Sequence, residues 1–418
     1  MGTRATPLRP TESDATGCAT TPIRLAFIVS HPIQYYVPLY RSLARREDLL
    51  IKVFFTWHSG GPNARDHGFK RAVAWDIPLT EGYEFELVPN VARKTGTHCF
   101  WGLRNPSLIS SVTSWKPDVV HLTGYAHFSH VRAMRHFHRA GIPVLFRGDS
   151  HLLRTSYGIR WRIKLALLRR VYGWTDGCLY VGQHNADYFR KFGVPESRLF
   201  YCPHSIEVER FAEPNDTLEK EADGWRRELQ IGNDRVVVLF AGKFERVKQP
   251  LALMRAFQGC AAEDPRLLLV MVGDGELGHE VRRTAVQVPE TFRVLPFQNQ
   301  TRMPLVYRVG HLFVLPSIRE SWGLSVNEAM ACGRPALVSD GVGCGDDLVR
   351  ANETGAIFPR NDWDAFCKTL IRLTRDRLRL EQMGIAARRL STTFDITATE
   401  GALLSALHRV LPRIPVCR

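Results

Sequence analysis

Short apolar runs alternate with helix-length amphipathic segments from one end of the chain to the other, and no other feature limits the fold so tightly. This is the rhythm of strand–helix–strand units around parallel sheets, so the expected class is α/β. In the first half, strands are expected at Arg24–Ser30, Ile51–Thr56, Asp118–Thr123, Ile142–Arg147 and Gly177–Val181, with helices such as Val37–Arg46 and His130–Ala140 between them. In the second half, Arg235–Ala241, Leu267–Gly273, Phe292–Pro296, His311–Pro316 and Pro335–Ser339 repeat the pattern. Two sheets are implied. The length of 418 residues agrees, because a chain of this size has room for roughly two to three domains. With 44% hydrophobic and 23% charged residues, disordered, collagen-like and coiled-coil readings are excluded. The apolar runs are also too short to span a bilayer, which takes roughly 20 such residues.

The strongest internal shift in composition is the charged, turn-rich stretch Glu207–Asp234, with the boundary near Ile206. The expected organisation is a loose tail over residues 1–22, which lack the apolar core of a secretion signal. A first domain follows over 23–205, a linker over 206–234 and a second domain over 235–388. Helices at the carboxyl end, 389–418 with Asp376–Leu411 helical throughout, are expected to pack back on the first domain. Two facing Rossmann-like, doubly wound domains bind ligand at the carboxyl ends of their strands, in the crevice between them.

Charge is distributed unevenly between the halves. Residues 1–205 carry 27 Lys and Arg against 14 Asp and Glu, whereas the remainder is nearly balanced at 29 against 28. The first half therefore suits an acidic partner: nucleic acid, an anionic membrane or a phosphorylated small molecule. The nine cysteines lack any C-x-x-C pair, so neither zinc nor a disulfide frame is expected, and such usage fits a reducing, cytoplasmic setting.

The densest run of chemistry is PSIRESWGLSVNEAMACGRPALVS, residues 316–339. Ser325 followed by Glu328 has the spacing of a capping box, Gly333 is a helix stop and Pro335 opens a strand, so a helix is expected over Val326–Cys332. Its positive end faces the turn that carries Glu320, where a phosphate or sugar can sit. Glu320 and Glu328 can accept hydrogen bonds from hydroxyls at two points of an elongated ligand. Such a Glu pair is common by chance, and its neighbours decide the matter. In AGKFERVKQP, Gly242 lets the chain turn after a strand, and Lys243 and Lys248 then offer two ammonium groups to a diphosphate. VGDGEL supplies a glycine turn with Asp274, and Gly341, Gly343 and Gly345 open another loop at a strand end.

Taken in order, GKFERVK, VGDGEL, PSIRESWGLSVNEAMACGRP, the glycine loop and NETGAIFP give residues 235–360 a resemblance to the retaining glycosyltransferases of family 4, which have the GT-B fold. The resemblance puts the family's Glu-x7-Glu pair on Glu320 and Glu328 and its phosphate-binding basic residues on Lys243 and Lys248. Gly242, Gly323, Leu324, Ser325 and Asp274 are further candidates for substrate binding. Lys243 stands where many relatives have Arg, which keeps the charge and loses the fork. The first domain matches more loosely, through DVVHLTGY, RGDSH with Arg147 and His151, and PHSIEVERF. Its first strand runs into SHPIQYY, where many relatives have a glycine-rich loop, and His31 and Gln34 are candidates there by position.

The resemblance implies transfer of a sugar from a nucleotide diphosphate sugar to a hydroxyl of a glycan, a lipid-linked or a small-molecule acceptor, with retained configuration. No metal or other cofactor is implied. Glu320 is expected to hold donor sugar hydroxyls and Glu328 the ribose. In the basic half, Arg154, Arg160, Arg162, Lys164, Arg169 and Arg170 accompany an apolar stripe of Trp161, Leu165, Leu168 and Tyr172. That helix either docks on anionic lipid or buries its stripe in the core. No zinc or RNA-recognition signature supports nucleic-acid binding. A nucleotide-sugar epimerase, a phosphorylase or a non-catalytic binding relative share the fold and stay open as alternatives.

Overall fold

The computed structural model of the chain describes residues 21–57, 65–66, 71–72, 75–153, 158–212 and 216–411. Most of the expected tail and Arg154 lie outside the described residues.

The first lobe is built on strands β1 (Ile23–Val29), β2 (Leu49–Phe55), a two-stranded ribbon of β3 (Arg65–Asp66) and β4 (Arg71–Ala72), then β5 (Glu84–Leu87), β6 (Val119–Thr123), β7 (Val144–Arg147), β8 (Gly177–Tyr180) and β9 (Leu199–Tyr201). Seven of these form one parallel sheet in the order β5-β2-β1-β6-β7-β8-β9. Helices α1 (Val37–Ala44), α2 (Leu108–Ser114), α3 (Phe128–Arg139), α4 (Ile159–Tyr172) and α5 (Gln183–Lys191) connect them. Helices α2 to α5 cover one face, where Phe137, Leu168, Tyr172 and Phe189 meet Ile28, Val120 and Phe146.

Residues 206–234, expected as a linker, fold into α6 (Val208–Ala212) and α7 (Asp216–Glu228). The Arg226 guanidinium of α7 donates to the carbonyl of Val309 at 2.9 Å, which ties this stretch to the second lobe.

That lobe has a six-stranded parallel sheet in the order β12-β11-β10-β13-β14-β15, from β10 (Val236–Ala241), β11 (Leu267–Val272), β12 (Phe292–Leu295), β13 (Leu312–Leu315), β14 (Ala336–Ser339) and β15 (Gly355–Phe358). Every residue of β10 and β11 is buried. Helices on both faces leave no wet side, so the strands are apolar without alternation. The helices are α8 (Pro250–Glu263), α9 (Gly278–Gln287), α10 (Met303–Val309), α11 (Leu324–Ala331), α12 (Gly345–Leu348), α13 (Trp363–Thr374), α14 (Arg377–Ser391) and α15 (Ile396–Val410). Asp362 and Asp376 cap α13 and α14 through backbone N–H groups three residues on, as short acceptors at N-caps do.

The chain then returns to the first lobe. Leu403, Ala406 and Leu407 of α15 pack with Phe27, Leu39 and Leu43, and Arg46 pairs with Glu400 at 3.0 Å. The last helices thus cover the open face of the first sheet, and the fold is two facing doubly wound lobes. One expectation is corrected: Cys260 of α8 and Cys367 of α13 form a disulfide with Cα atoms 5.5 Å apart. The two are 107 residues apart in sequence, so only the packing of the two helices brings them together.

Candidate active site

Both sheets reverse strand order beside their first strand, between β1 and β6 and between β10 and β13, and ligands bind in the crevice outside such switch points. Here the two crevices face one another around a cavity of about 540 Å³.

The second lobe supplies the charged wall. β10 leads into Gly242 and Lys243, and the Lys243 loop is held against the turn after β11 by Phe244 N–H donating to Asp274 O at 2.8 Å. Gly273 makes that approach possible: its φ is 153°, and a Cβ there would lie 2.0 Å from the Gly242 carbonyl oxygen. The Asp274 carboxylate accepts from Gly275 N–H at 2.9 Å and pairs with Arg282, and it is not among the residues that line the cavity. VGDGEL serves by its backbone. Lys248 ends the short helical turn Arg246–Lys248 and contacts the Glu320 carboxylate. Burial lowers the Lys248 ammonium to about 8, with Glu245 opposing and Lys243 reinforcing the shift.

Glu320 sits on the turn after β13. Its N–H donates to Gly341 O at 2.9 Å, and Gly343 N–H returns a bond to Glu320 O at 3.0 Å. A Cβ on Gly343 would lie 2.1 Å from Ser321 O, so the glycines of that loop let it seat the glutamate turn. Helix α11 starts at Leu324, two residues before the expected start, because Gly323 takes a left-handed φ of 107° at the N-cap. Ser325 therefore lies inside the first turn, and the expected capping box with Glu328 does not form. Glu328 is 2% exposed. Its Oε2 accepts from the Tyr307 hydroxyl at 2.5 Å, while its Oε1 has no hydrogen-bond partner among the described residues. Burial raises its pKa, against the pull of Tyr307, Arg210 and Tyr35.

The first lobe closes the cavity with His31, Gln34 and Tyr35 from the loop after β1, and with Trp57, Trp75 and Leu79. His31 Nδ1 is 2.9 Å from Ser30 Oγ, and its ring lies edge-on to Trp57. Gly242, Lys243, Lys248, Glu320, Leu324, Ser325 and Glu328 are also on the wall, whereas Gly323 and Asp274 are not. Arg147 and His151 of the first lobe also lie off the wall. Arg147 is buried and donates to the carbonyls of Cys202 and Pro203 at 3.0 and 2.9 Å, a brace under the cleft floor. The His151 ring donates through Nε2 to Glu320 O at 3.0 Å and accepts from Leu153 N–H at Nδ1, so it latches the lobes and turns no atom to the cavity. Burial brings its pKa to about 4, which keeps it neutral. Tyr35, Tyr307, Gln298, Gln300 and Phe297 also line the wall; sequence spacing carried no sign of them, although Tyr35 lies inside the SHPIQYY departure.

Comparison with known proteins agrees with this geometry. The model of the family described as "Glycosyl transferases group 1" matches residues 221–390, and that of "Glycosyltransferase Family 4" matches residues 75–210. Between them they cover most of the chain, which belongs to the family 4 glycosyltransferases. Among curated relatives, D-inositol 3-phosphate glycosyltransferases from Salinispora tropica and Thermomonospora curvata are 28% identical over 229 residues and 30% identical over 224, covering 52% and 51% of this chain. The matched part spans about half the length of those relatives, 47% and 52%. Among solved structures, the sucrose-phosphate synthase of Thermosynechococcus elongatus superimposes with a TM-score of 0.71 at 18% identity, covering 93% of this chain and 99% of that one. Anabaena Alr3699/HepE in complex with UDP and glucose gives 0.67 at 14% identity, with 92% and 99% covered. These two share the fold. No described helix is long and apolar enough to cross a membrane.

Proposed function

We propose that this chain transfers a sugar from a nucleotide diphosphate sugar to an acceptor hydroxyl with retained configuration. One observation carries the reading: two lysines, the start of α11 and a buried carboxylate, one oxygen of which has no hydrogen-bond partner among the described residues, all meet in one interlobe cavity. The bond from sugar C1 to the diphosphate oxygen breaks, and its electron pair leaves with the diphosphate. Lys243, Lys248 and the N–H groups opening α11 stabilise that growing charge. The acceptor oxygen bonds to C1 from the same face, and its proton passes to the departing phosphate oxygen. Glu320 accepts from donor sugar hydroxyls, and Glu328 Oε1 accepts from the ribose, a bond that would satisfy a buried acceptor. Two ammonium groups and a helix end supply the positive charge the leaving group needs, so no metal or cofactor is required. The named activity of the inositol-phosphate relatives and the UDP and glucose held by HepE support this donor class.

The test is a screen of nucleotide sugars with and without candidate acceptors, reading released nucleotide, followed by proton NMR of the product anomer in the presence of a chelator. Nucleotide release that rises with acceptor and gives the donor's own anomeric form is expected. Inverted product removes the retaining mechanism, and a chain that neither binds nor releases any nucleotide removes the reading altogether.

A further inference from the structure

Helix α4 has apolar residues on two faces. Its inner face is the stripe expected from sequence: Leu168 and Tyr172 are buried, and Trp161 and Leu165 pack beside them in the first-lobe core. That stripe therefore cannot dock on lipid. On the outer face, Ile159, Ile163 and Leu167 are 70%, 63% and 59% exposed. Their spacing of four aligns them in one ridge. Arg162 and Arg169 lie along one side of the ridge and Lys164 along the other, Arg170 continues it, and all four are exposed. Helix α4 contains no acidic residue.

The surroundings carry the same character. Helix α3, on the same sheet face, exposes Arg132, Arg135 and Arg139 and has no acidic residue either. At its start, Trp101 is 58% exposed and packs on Phe128 with ring centroids 4.9 Å apart. Both α3 and α4 begin at carboxyl ends of neighbouring parallel strands, β6 and β7. That end faces the cleft, as the His151 contact with Glu320 O between β7 and α4 attests. An apolar ridge bordered by cationic side chains is the arrangement of a helix lying in a bilayer interface, with the ridge in the acyl boundary and the cations among anionic headgroups. A nucleic-acid backbone would be matched by the cations and not by the ridge.

We infer that the α3–α4 face of the first lobe docks on an anionic lipid bilayer, which would present a membrane-borne acceptor to the cleft. This deepens the proposed transfer and rests on it for the acceptor, but not for the docking itself.

Flotation of the full chain with vesicles tests it, using phosphatidylcholine alone or mixed with phosphatidylglycerol, at low and high salt. Partition onto the anionic vesicles at low salt is expected, with loss at high salt. The double variant I163Q/L167Q should weaken partition about tenfold or more, and R162Q/R169Q about tenfold or more. A control, L378Q/I385Q, alters two residues that are each 72% exposed on α14 and should change nothing. Nucleotide binding by calorimetry should stay at the wild-type level in all variants, which separates failed docking from failed folding or a wrong donor site. Three results would overturn the inference: no partition at either salt, equal partition onto neutral vesicles, or partition indifferent to the ridge. Stripping of the chain from vesicles by duplex DNA, equally in wild type and ridge variant, would also assign the face to nucleic acid.

Discussion

The Lys248 ammonium contacts Glu320 Oε2, so the side chain placed for the departing diphosphate is paired to the one placed for the donor sugar. Truncation to Ala removes the cation and leaves the carboxylate partnered by the neutral Ser317 hydroxyl at 3.5 Å. K248A and K243A should each lower kcat by about 10²–10³, the scale for losing one charge-stabilising group at a reacting centre, with the fold kept by circular dichroism. A purified variant turning over near the wild-type rate would remove that lysine from the mechanism.

The pH dependence follows from the same group. Burial lowers the Lys248 ammonium to about 8, and the charged form lies below that value. The kcat/KM for nucleotide sugar should therefore fall as pH rises through about 8. K248R should lose this alkaline limb, because a guanidinium keeps its proton throughout the range. An unchanged limb in K248R would assign it to another group.

Glu320 and Glu328 should separate in their effects. E320Q is expected to lose turnover while calorimetry still reports nucleotide binding, since Glu320 faces the sugar. Loss of nucleotide binding in E320Q would move this residue to the nucleotide subsite.

Tyr307 donates to Glu328 inside the core and pulls its carboxyl pKa down, against burial that raises it. Y307F removes the donor, so the pKa rises further and the carboxylate is lost at a pH where the wild type retains it. Donor KM should rise about tenfold at neutral pH, within the range for a hydrogen bond to a charged group, with kcat nearly kept because the phenol touches no reacting atom. The acid limb of kcat/KM should also move to higher pH. A raised folded pKa means that ionised Glu328 costs stability above that pKa, so E328Q should melt higher than wild type while binding nucleotide less well. If Y307F kept both the wild-type KM and the wild-type acid limb, Glu328 would not be the ribose acceptor.

The strand that leads to the lysines and its neighbour could be read directly because β10 and β11 are apolar without a break, as burial on both faces allows. Edge strands β5 and β9 escaped that reading: their residues are half-buried or exposed, so no continuous apolar run marks them. The start of α11 was misjudged for a different reason. Ser325 and Glu328 have capping-box spacing, but Gly323 can enter the helix through a left-handed φ and moves the start forward, which frees Glu328 to turn inward. Tyr307, on another helix, then meets it only through packing. For helix α4 the sequence left docking and burial of the Trp161, Leu165, Leu168 and Tyr172 stripe open, and the structure buries it, because periodicity shows an apolar stripe but not what covers it.

The closest backbone approach in the site gives the last prediction. A methyl group on Gly273 would lie 2.0 Å from Gly242 O at a φ of 153°, in a region that side chains rarely adopt. The Lys243 loop must therefore shift in G273A, because Gly242 N–H and Phe244 N–H both bond to the β11 turn, at 3.0 and 2.8 Å. Stability should fall by about 1–3 kcal/mol, the cost of such a strained residue, and nucleotide affinity by about tenfold or more. Gly259, in the interior of α8, has open space where a Cβ would stand, so G259A should be neutral or stabilise by up to about 1 kcal/mol through helix propensity. Thermal melts and nucleotide titrations of the pair distinguish a local clash from a general intolerance of alanine. Equal behaviour of the two variants would mean that the β11 turn does not set the position of Lys243.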